Sequence, residues 1–367
     1  MRIIAVILFI VFSLSSFAQP QNADDIEIID SINSEPSIIF RADFSQIKAS
    51  DSLVFNGFSE LINGAYENPF YNYLHDSIKS FSDSIYYERI ERLNKKSPIA
   101  LTYNESVRAM IELYIRKNGI ISGALSRKDL YFPMYESMLD KYNIPQELKY
   151  LSIIESALNP VATSRARAVG LWQFMSATGR MYGLNSSYSI DDRMDPYKAT
   201  EAACQHLADL YDIYGDWFLV LAAYNAGPGN VNKAIRRSGS SDYWEMRAYL
   251  PRETQAYVPA FIAVNYLMKY SASHNINAYE KGISYFDTDT VKIYTKINFS
   301  DLSSWLNIPQ STIKMLNPQY TRNYIPSSKE GNIICLPVDI IGDFILNQKL
   351  ILSGISREEY EQQALGE

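Results

Sequence analysis

Chemistry in this chain has to come from carboxylates, hydroxyls and amides, because three His and two Cys in 367 residues cannot supply the ligand spacings of zinc or haem sites. One carboxylate stands out. The segment Ile144 to Leu158 opens with Pro145 and closes at Asn159-Pro160, and at about 100° per residue its Ile144, Leu148, Leu151, Glu155 and Leu158 fall on one helix face. The period therefore assigns Glu155 to the buried side. There an unpaired carboxylate is costly and tends to keep its proton near neutral pH, the state a general acid needs. The same position suits a structural Glu paired with Arg165 or Arg167, and periodicity alone leaves both readings open.

Four further stretches follow Glu155-Ser156. Ser164 lies in a Ser/Arg/Ala loop. Gly170-Leu171-Trp172-Gln173-Phe174-Met175 puts a Gly, a Trp and an amide into six residues. Ala222-Ala223-Tyr224-Asn225-Ala226-Gly227-Pro228-Gly229 runs a helix into a turn that admits close approach to the backbone. Arg252-Glu253-Thr254-Gln255-Ala256-Tyr257-Val258-Pro259 comes last. A second catalytic carboxylate, as most glycosidases use, is not evident. Asp191, Asp192 and Asp195 precede a capped helix, Glu201 lies inside it, and Glu253 is the only acid within a site motif.

The elements that must position these residues are helical. Val107, Ile111, Tyr114 and Ile115 line one face after Asn104 as N-cap, with Gly119 at the end; a second helix is expected from about Ser126 to Tyr142. Asp195-Pro196 starts a helix that stops at Gly215, and Trp217 to Tyr224 forms another. No strand is expected from Asn104 to Ser271. Beyond Tyr270 the texture changes: strand-like Tyr285 to Phe299 and Ile333 to Leu336 flank two short helical stretches. The expectation is α+β overall: a mainly α domain over 101–271, a small α+β module over 283–340 and a tail over 341–367. Residues 19–100 read as a mobile leader with a few short elements.

Composition narrows the class. The chain is 47% hydrophobic and 20% charged with net charge −7, which excludes disorder and gives no bulk electrostatic footprint for nucleic acid. The 28 Tyr against 4 Trp supply flat apolar faces with polar tips, useful in a core and against carbohydrate. Met1-Arg2, the apolar run Ile3 to Phe12 and Ser16-Phe17-Ala18 read as a secretory signal over residues 1–18, cleaved near Ala18. Cys204 and Cys335 fall in different expected domains, which argues against their pairing.

In their order and spacing, the four motifs over about Leu101 to Tyr270 resemble the lysozyme-like lytic transglycosylases that cleave peptidoglycan, and within them the membrane-bound lytic murein transglycosylase D type. The resemblance implies Glu155 as sole acid/base and Ser164, Gln173, Met175, Tyr224, Asn225 and Tyr257 lining the sugar sites. The Asp192-Arg193-x-Asp195-Pro196 element also matches the family and is read as structural, capping the next helix. The resemblance further implies that Glu155 protonates the glycosidic oxygen between N-acetylmuramic acid and N-acetylglucosamine. The muramic 6-hydroxyl would then close a 1,6-anhydro ring without metal or other cofactor. The C-terminal module, with Tyr294, Asp301 to Asn307, Leu316-Asn317-Pro318 and Ile334 to Pro337, resembles a divergent LysM domain. It has Asn298-Phe299-Ser300-Asp301 where that family has Gly-Asp-Thr-Leu, which leaves glycan binding and packing against the enzyme both open to it. The implied partner is the peptidoglycan glycan strand in a bacterial envelope, most simply in the periplasm, with peripheral membrane association left open and protein partners unassigned. A water-using muramidase of the goose-type lysozyme kind and a silent glycan-binding scaffold are the rival readings.

Overall fold

Apolar residues at helical spacing form helices through most of the chain. The computed structural model describes residues 78–353 together with 357, 358, 360 and 362. The expected signal segment 1–18 and the leader up to residue 77 lie outside the described residues. All described residues belong to one contact unit.

Helix α1 (Asp83–Asn94) buries Tyr86 and Ile90 in the main core, so the stretch read as leader already contributes to the helical domain. Helix α2 (Glu105–Arg116) begins at Asn104, whose side chain accepts from the Val107 amide at 3.1 Å. It buries the face Val107, Ile111, Tyr114 and Ile115, as the periodicity predicts. Gly119 does not end it. Gly119 opens α3 (Gly119–Lys141), which starts before the expected Ser126 because Ile120, Ile121 and Ala124 are also core residues.

The Glu155 segment is a 3-10 turn (Gln146–Tyr150) followed by the short α4 (Leu151–Ser156). Ala157 and Leu158, at φ +52° and +60°, turn the chain sharply out of the helix, so α4 ends sooner than expected. The arc of Ile144, Leu148, Leu151 and Leu158 is nonetheless fully buried. After α5 (Ser176–Met181) comes α6 (Pro196–Tyr214). Asp195 caps α6 by accepting from the amides of Tyr197 at 2.9 Å and Lys198 at 3.0 Å, and Gly215 closes it in the left-handed conformation.

Helix α7 (Trp217–Ala226) buries every residue from Phe218 to Ala223. It is followed by α8 (Pro228–Ser238), α9 (Tyr243–Met246) and α10 (Arg252–Tyr270). Helix α10 is buried from Ala256 to Leu267 and packs against α2, α4 and α7. At its far end the buried His274 donates from Nδ1 to the Lys79 carbonyl (2.6 Å), because a carbonyl can only accept. Its Nε2 therefore accepts from the Tyr266 hydroxyl (2.9 Å), whose oxygen accepts from Arg89 (3.0 Å). Burial, with Arg89 adding to it, pushes His274 down to about 4, so the ring is neutral and the relay runs in one direction.

The C-terminal module pairs β1 (Thr288–Ile293) antiparallel with β4 (Asn332–Pro337), and β2 (Ile297–Asn298) antiparallel with β3 (Tyr324–Ile325). Between them lie α11 (Phe299–Leu306) and α12 (Gln310–Leu316). Its own core gathers Ile293, Phe299, Leu302, Ile313, Ile334 and Leu336. The fully buried Asn317 acts as an extra strand residue. It donates to the Cys335 carbonyl at 2.8 Å and accepts from the Cys335 amide at 2.7 Å. The segment expected as tail is helical from Val338 to Ser353 (α13) and buries Phe344 and Ile351 in this core. Cys204 and Cys335 are both free thiols.

Replacing Asp195 by Ala should cost about 1–2 kcal/mol, measured by urea denaturation, whereas Asp195→Asn, which keeps the accepting oxygen, should retain most of the stability.

Candidate active site

Glu155 sits on the last turn of α4, half-buried, and one of its carboxylate oxygens accepts a short hydrogen bond from the Tyr257 hydroxyl of α10. Burial pushes Glu155 up to about 7. The Tyr257 hydrogen bond works against that shift, and the charge of Glu253 adds to it. The two Arg that the sequence offered as neutralising partners do not serve. Arg165 and Arg167 are exposed, and among the described residues no ion pair joins either of them to Glu155.

The residue beside it fastens α4 to the next motif. The Ser156 and Ser152 hydroxyls both donate to the Leu171 carbonyl at 2.9 Å, and Ser152 in turn accepts from Tyr135 (3.1 Å). Trp172 is wholly buried, with its indole N–H on the Thr200 hydroxyl at 2.9 Å. Gln173, at φ +48°, spends both amide hydrogens on its own loop, on the carbonyls of Gly170 (2.8 Å) and Ala162 (3.1 Å). Its Oε1 takes no part in these two bonds. Ser164 is likewise engaged within the loop, accepting from the Ala168 amide at 3.0 Å. Met175 follows and is exposed. Neither Ser164 nor Met175 is hydrogen-bonded to Glu155.

Tyr224, at the end of α7, donates to the Trp172 carbonyl (2.9 Å) and packs against the His206 ring at 5.2 Å. Burial raises Tyr224 and Tyr257 far above the usual phenol range, and the Glu155 charge adds to both shifts. The two phenols therefore share the electrostatic environment of the acid and stay protonated. Asn225 accepts from Thr254 of α10 at 2.7 Å, which fixes its oxygen and turns its NH2 group away from that contact. Tyr114 of α2 is a neighbour the motifs did not indicate. It is almost wholly buried, and its phenol feels the Glu155 charge. Its signal was the core face of α2, which cannot by itself distinguish a wall residue.

The loop 162–175 depends on Arg193. Its guanidinium is clamped by Asp191, at 3.0 Å and 2.7 Å, and reaches the carbonyls of Arg167 and Phe174, each at 3.3 Å. The Arg193 carbonyl passes so close to Gly170 that a Cβ there, at φ +89°, would stand 1.9 Å from it. Asp192 holds Lys198 at 2.7 Å and accepts from the Asn185 amide. The acidic element thus does more than cap α6: it carries the loop. No group of three or more His, Cys, Asp or Glu that could hold a metal occurs among the described residues, and no described helix is long and apolar enough to cross a membrane.

Because Glu155 binds its proton more tightly folded than unfolded, its burial costs nothing below about pH 4.5, where the acid is neutral in both states. The cost grows as pH rises and is complete above about 7. Glu155→Gln should therefore be more stable than the parent at pH 8 by about 3 kcal/mol and indistinguishable from it at pH 4. Denaturant titrations at the two pH values test this.

Residues 133–247 match the family described as Transglycosylase SLT domain, and residues 287–353 that described as Lytic transglycosylase MltD, LysM-like domain. Over 180 residues the chain is 38% identical to Membrane-bound lytic murein transglycosylase D of Escherichia coli (strain K12), covering 47% of this chain and 39% of that protein. Over 162 residues it is 28% identical to Membrane-bound lytic murein transglycosylase C of Histophilus somni (strain 2336), covering 39% and 44%. The match thus spans about two fifths of the length of these relatives. A crystal structure of the 70 kDa soluble lytic transglycosylase of Escherichia coli aligns with 71% of this chain and 43% of that one at 21% identity and a TM-score of 0.35. The chain therefore carries a transglycosylase SLT domain and, C-terminal to it, an LysM-like domain of the lytic transglycosylase MltD kind.

Proposed function

We propose that this protein is a peptidoglycan lytic transglycosylase with Glu155 as its single acid/base. The observation that carries the reading is the Glu155 carboxyl itself, raised to about 7 by burial and contacted by a neutral phenol instead of a cation. Such a group is protonated in a large fraction of molecules at neutral pH and can give its proton away. The other acids near the motifs are otherwise engaged: Asp191 with Arg193, Asp192 with Lys198, Asp195 with the α6 amides and Glu201 with Lys141. The exposed Glu253 acts on Glu155 through its charge.

In this reading Glu155 protonates the glycosidic oxygen between N-acetylmuramic acid and N-acetylglucosamine, and the C1–O bond breaks. The muramic 6-hydroxyl oxygen then bonds to C1 and its proton returns to Glu155. Atoms balance without water, and the enzyme ends in its starting protonation state. The Tyr257 hydroxyl steadies the carboxylate in the interval between the two transfers. An internal nucleophile already held near C1 has a large effective concentration over water. Tyr224, Asn225 and Gln173 would orient the sugar, with Met175 and Ser164 at the rim. Peptidoglycan strands are the substrate, and the expected secretory signal would bring the enzyme to the periplasmic envelope.

Mass spectrometry of muropeptides released from purified peptidoglycan tests the reaction. Products one water lighter than reducing muropeptides are expected with the parent, and none with Glu155→Gln. Reducing ends would instead identify a hydrolytic muramidase, and binding without release a scaffold.

Removal of the Tyr257 hydroxyl takes away a hydrogen bond that favours the charged carboxylate. Tyr257→Phe should therefore move the alkaline limb of kcat/KM, set by Glu155 near 7 in the parent, to higher pH while lowering kcat about tenfold or more. A limb that stays in place would remove Tyr257 from control of the acid.

A further inference from the structure

The C-terminal module does not hang from the helical domain by its linker. The linker is pinned to α3, where the Tyr279 amide donates to the Ser126 hydroxyl at 2.9 Å and Gly282 lies so close to the Ser126 carbonyl that a Cβ would stand 2.1 Å from it. A second attachment lies at the loop 187–191. The Asp191 amide donates to the Gln319 carbonyl at 2.9 Å, and the Thr321 amide donates to the Ser189 carbonyl at 3.1 Å. The Thr321 hydroxyl donates to the Tyr188 carbonyl at 3.1 Å, and the Arg322 guanidinium lies 4.3 Å over the Tyr188 ring. Ile190 pairs with Tyr320 as an antiparallel bridge and packs its side chain against the core of the module.

The loop held in this way is itself a tight turn, closed by the Ser186–Asp191 bridge and by the Ser187 amide on the Ile190 carbonyl at 2.7 Å. The module adds a third strand-like segment to it. Asp191, the residue whose amide the module engages, also clamps Arg193. Arg193 holds the carbonyls of Arg167 and Phe174 and lies against Gly170. An unbroken series of contacts thus runs from Gln319–Thr321 through Asp191 and Arg193 to the turn that carries Gln173.

We infer that the C-terminal module braces the sugar-binding loop, and that Ile190, Tyr320 and Thr321 are positioning residues for cleavage, acting through Asp191 and Arg193. This rests on the reading of the Glu155 site as a transglycosylase and adds a function for the module beyond any contact with glycan. A module that only tethered the enzyme to its polymer would need no backbone pairing with the loop 187–191 of the catalytic domain. Pre-organisation of a loop is what a brace supplies, and misplacement of substrate-orienting groups by even about 1 Å can cost a large factor in rate.

The test uses the full chain and two substrates, insoluble peptidoglycan and a soluble tetrasaccharide of alternating N-acetylglucosamine and N-acetylmuramic acid. Ile190→Asp puts a charge into the contact from the catalytic side. Thr321→Pro removes both Thr321 donors from the module side. Ile190→Val and Thr321→Ser keep the contacts. The first two should lower kcat on the tetrasaccharide on the order of tenfold, with faster amide hydrogen exchange at residues 170–174 and unchanged protection in α6, α7 and α10. The conservative pair should match the parent. Should Ile190→Asp or Thr321→Pro lose protection throughout the helical domain, Thr321→Val, which deletes only the hydroxyl donor, decides by its own kcat on the tetrasaccharide. Parental rates on the tetrasaccharide in the undocked variants, with only pelleting on insoluble peptidoglycan reduced, would overturn the brace and leave a tether. A parent chain inert on both substrates would overturn the catalytic reading itself, and the brace with it.

Discussion

A carboxylic acid that must hold its proton at neutral pH can be surrounded only by groups that do not stabilise its charge too well. Glu155 meets that constraint through burial, with one phenol as its hydrogen-bond partner and, among the described residues, no cation paired with it. Much of the helical domain follows from it. Helix α10 brings Tyr257 up to the acid, α2 supplies the buried Tyr114, and α7 places Tyr224 within its field. An Arg in any of these positions would hold the acid ionised.

The second demand is that α4 and the following loop stay in register although neither is long enough to be stable alone. Helix α4 has six residues, too few to persist by hydrogen bonding along its own backbone. Its stability comes from Ser152 and Ser156, which converge on the Leu171 carbonyl, and from the buried side chains of its apolar arc. The loop gets its shape from Arg193, whose guanidinium works as a rigid multi-donor fork. Polar residues near the acid are thus mostly spent on backbone carbonyls.

The buried face of the Glu155 segment was legible because helical phase survives even where the geometry splits into a 3-10 turn and a short α-helix. The Asp195 cap and the Gly215 stop were legible because both are local chemistry. Helix α13 was not, since Val338 to Ser353 includes Gly342 and several exposed apolar residues, which blur its period. Helix α1 was obscured in the same way by the Ser- and Asp-rich stretch before it. At the site, the motifs named the residues but not their partners. Tyr257 lies far along the chain from Glu155, and only the packing of α10 against α4 shows that it touches the acid. The Asp191–Arg193 clamp was similarly visible only as a helix-capping element.

Helix α10 is committed at both ends, to Glu155 through Tyr257 and to the Arg89–Tyr266–His274 relay through Tyr266. The two Tyr are about two and a half turns apart, and adding or removing one residue between them would rotate one against the other by about 100° and shift it by about 1.5 Å. Either the acid or the relay would then lose its phenol. The helix consequently has a fixed length in the same sense as a machined spacer: its sequence can drift at many positions, but its residue count between these two contacts cannot.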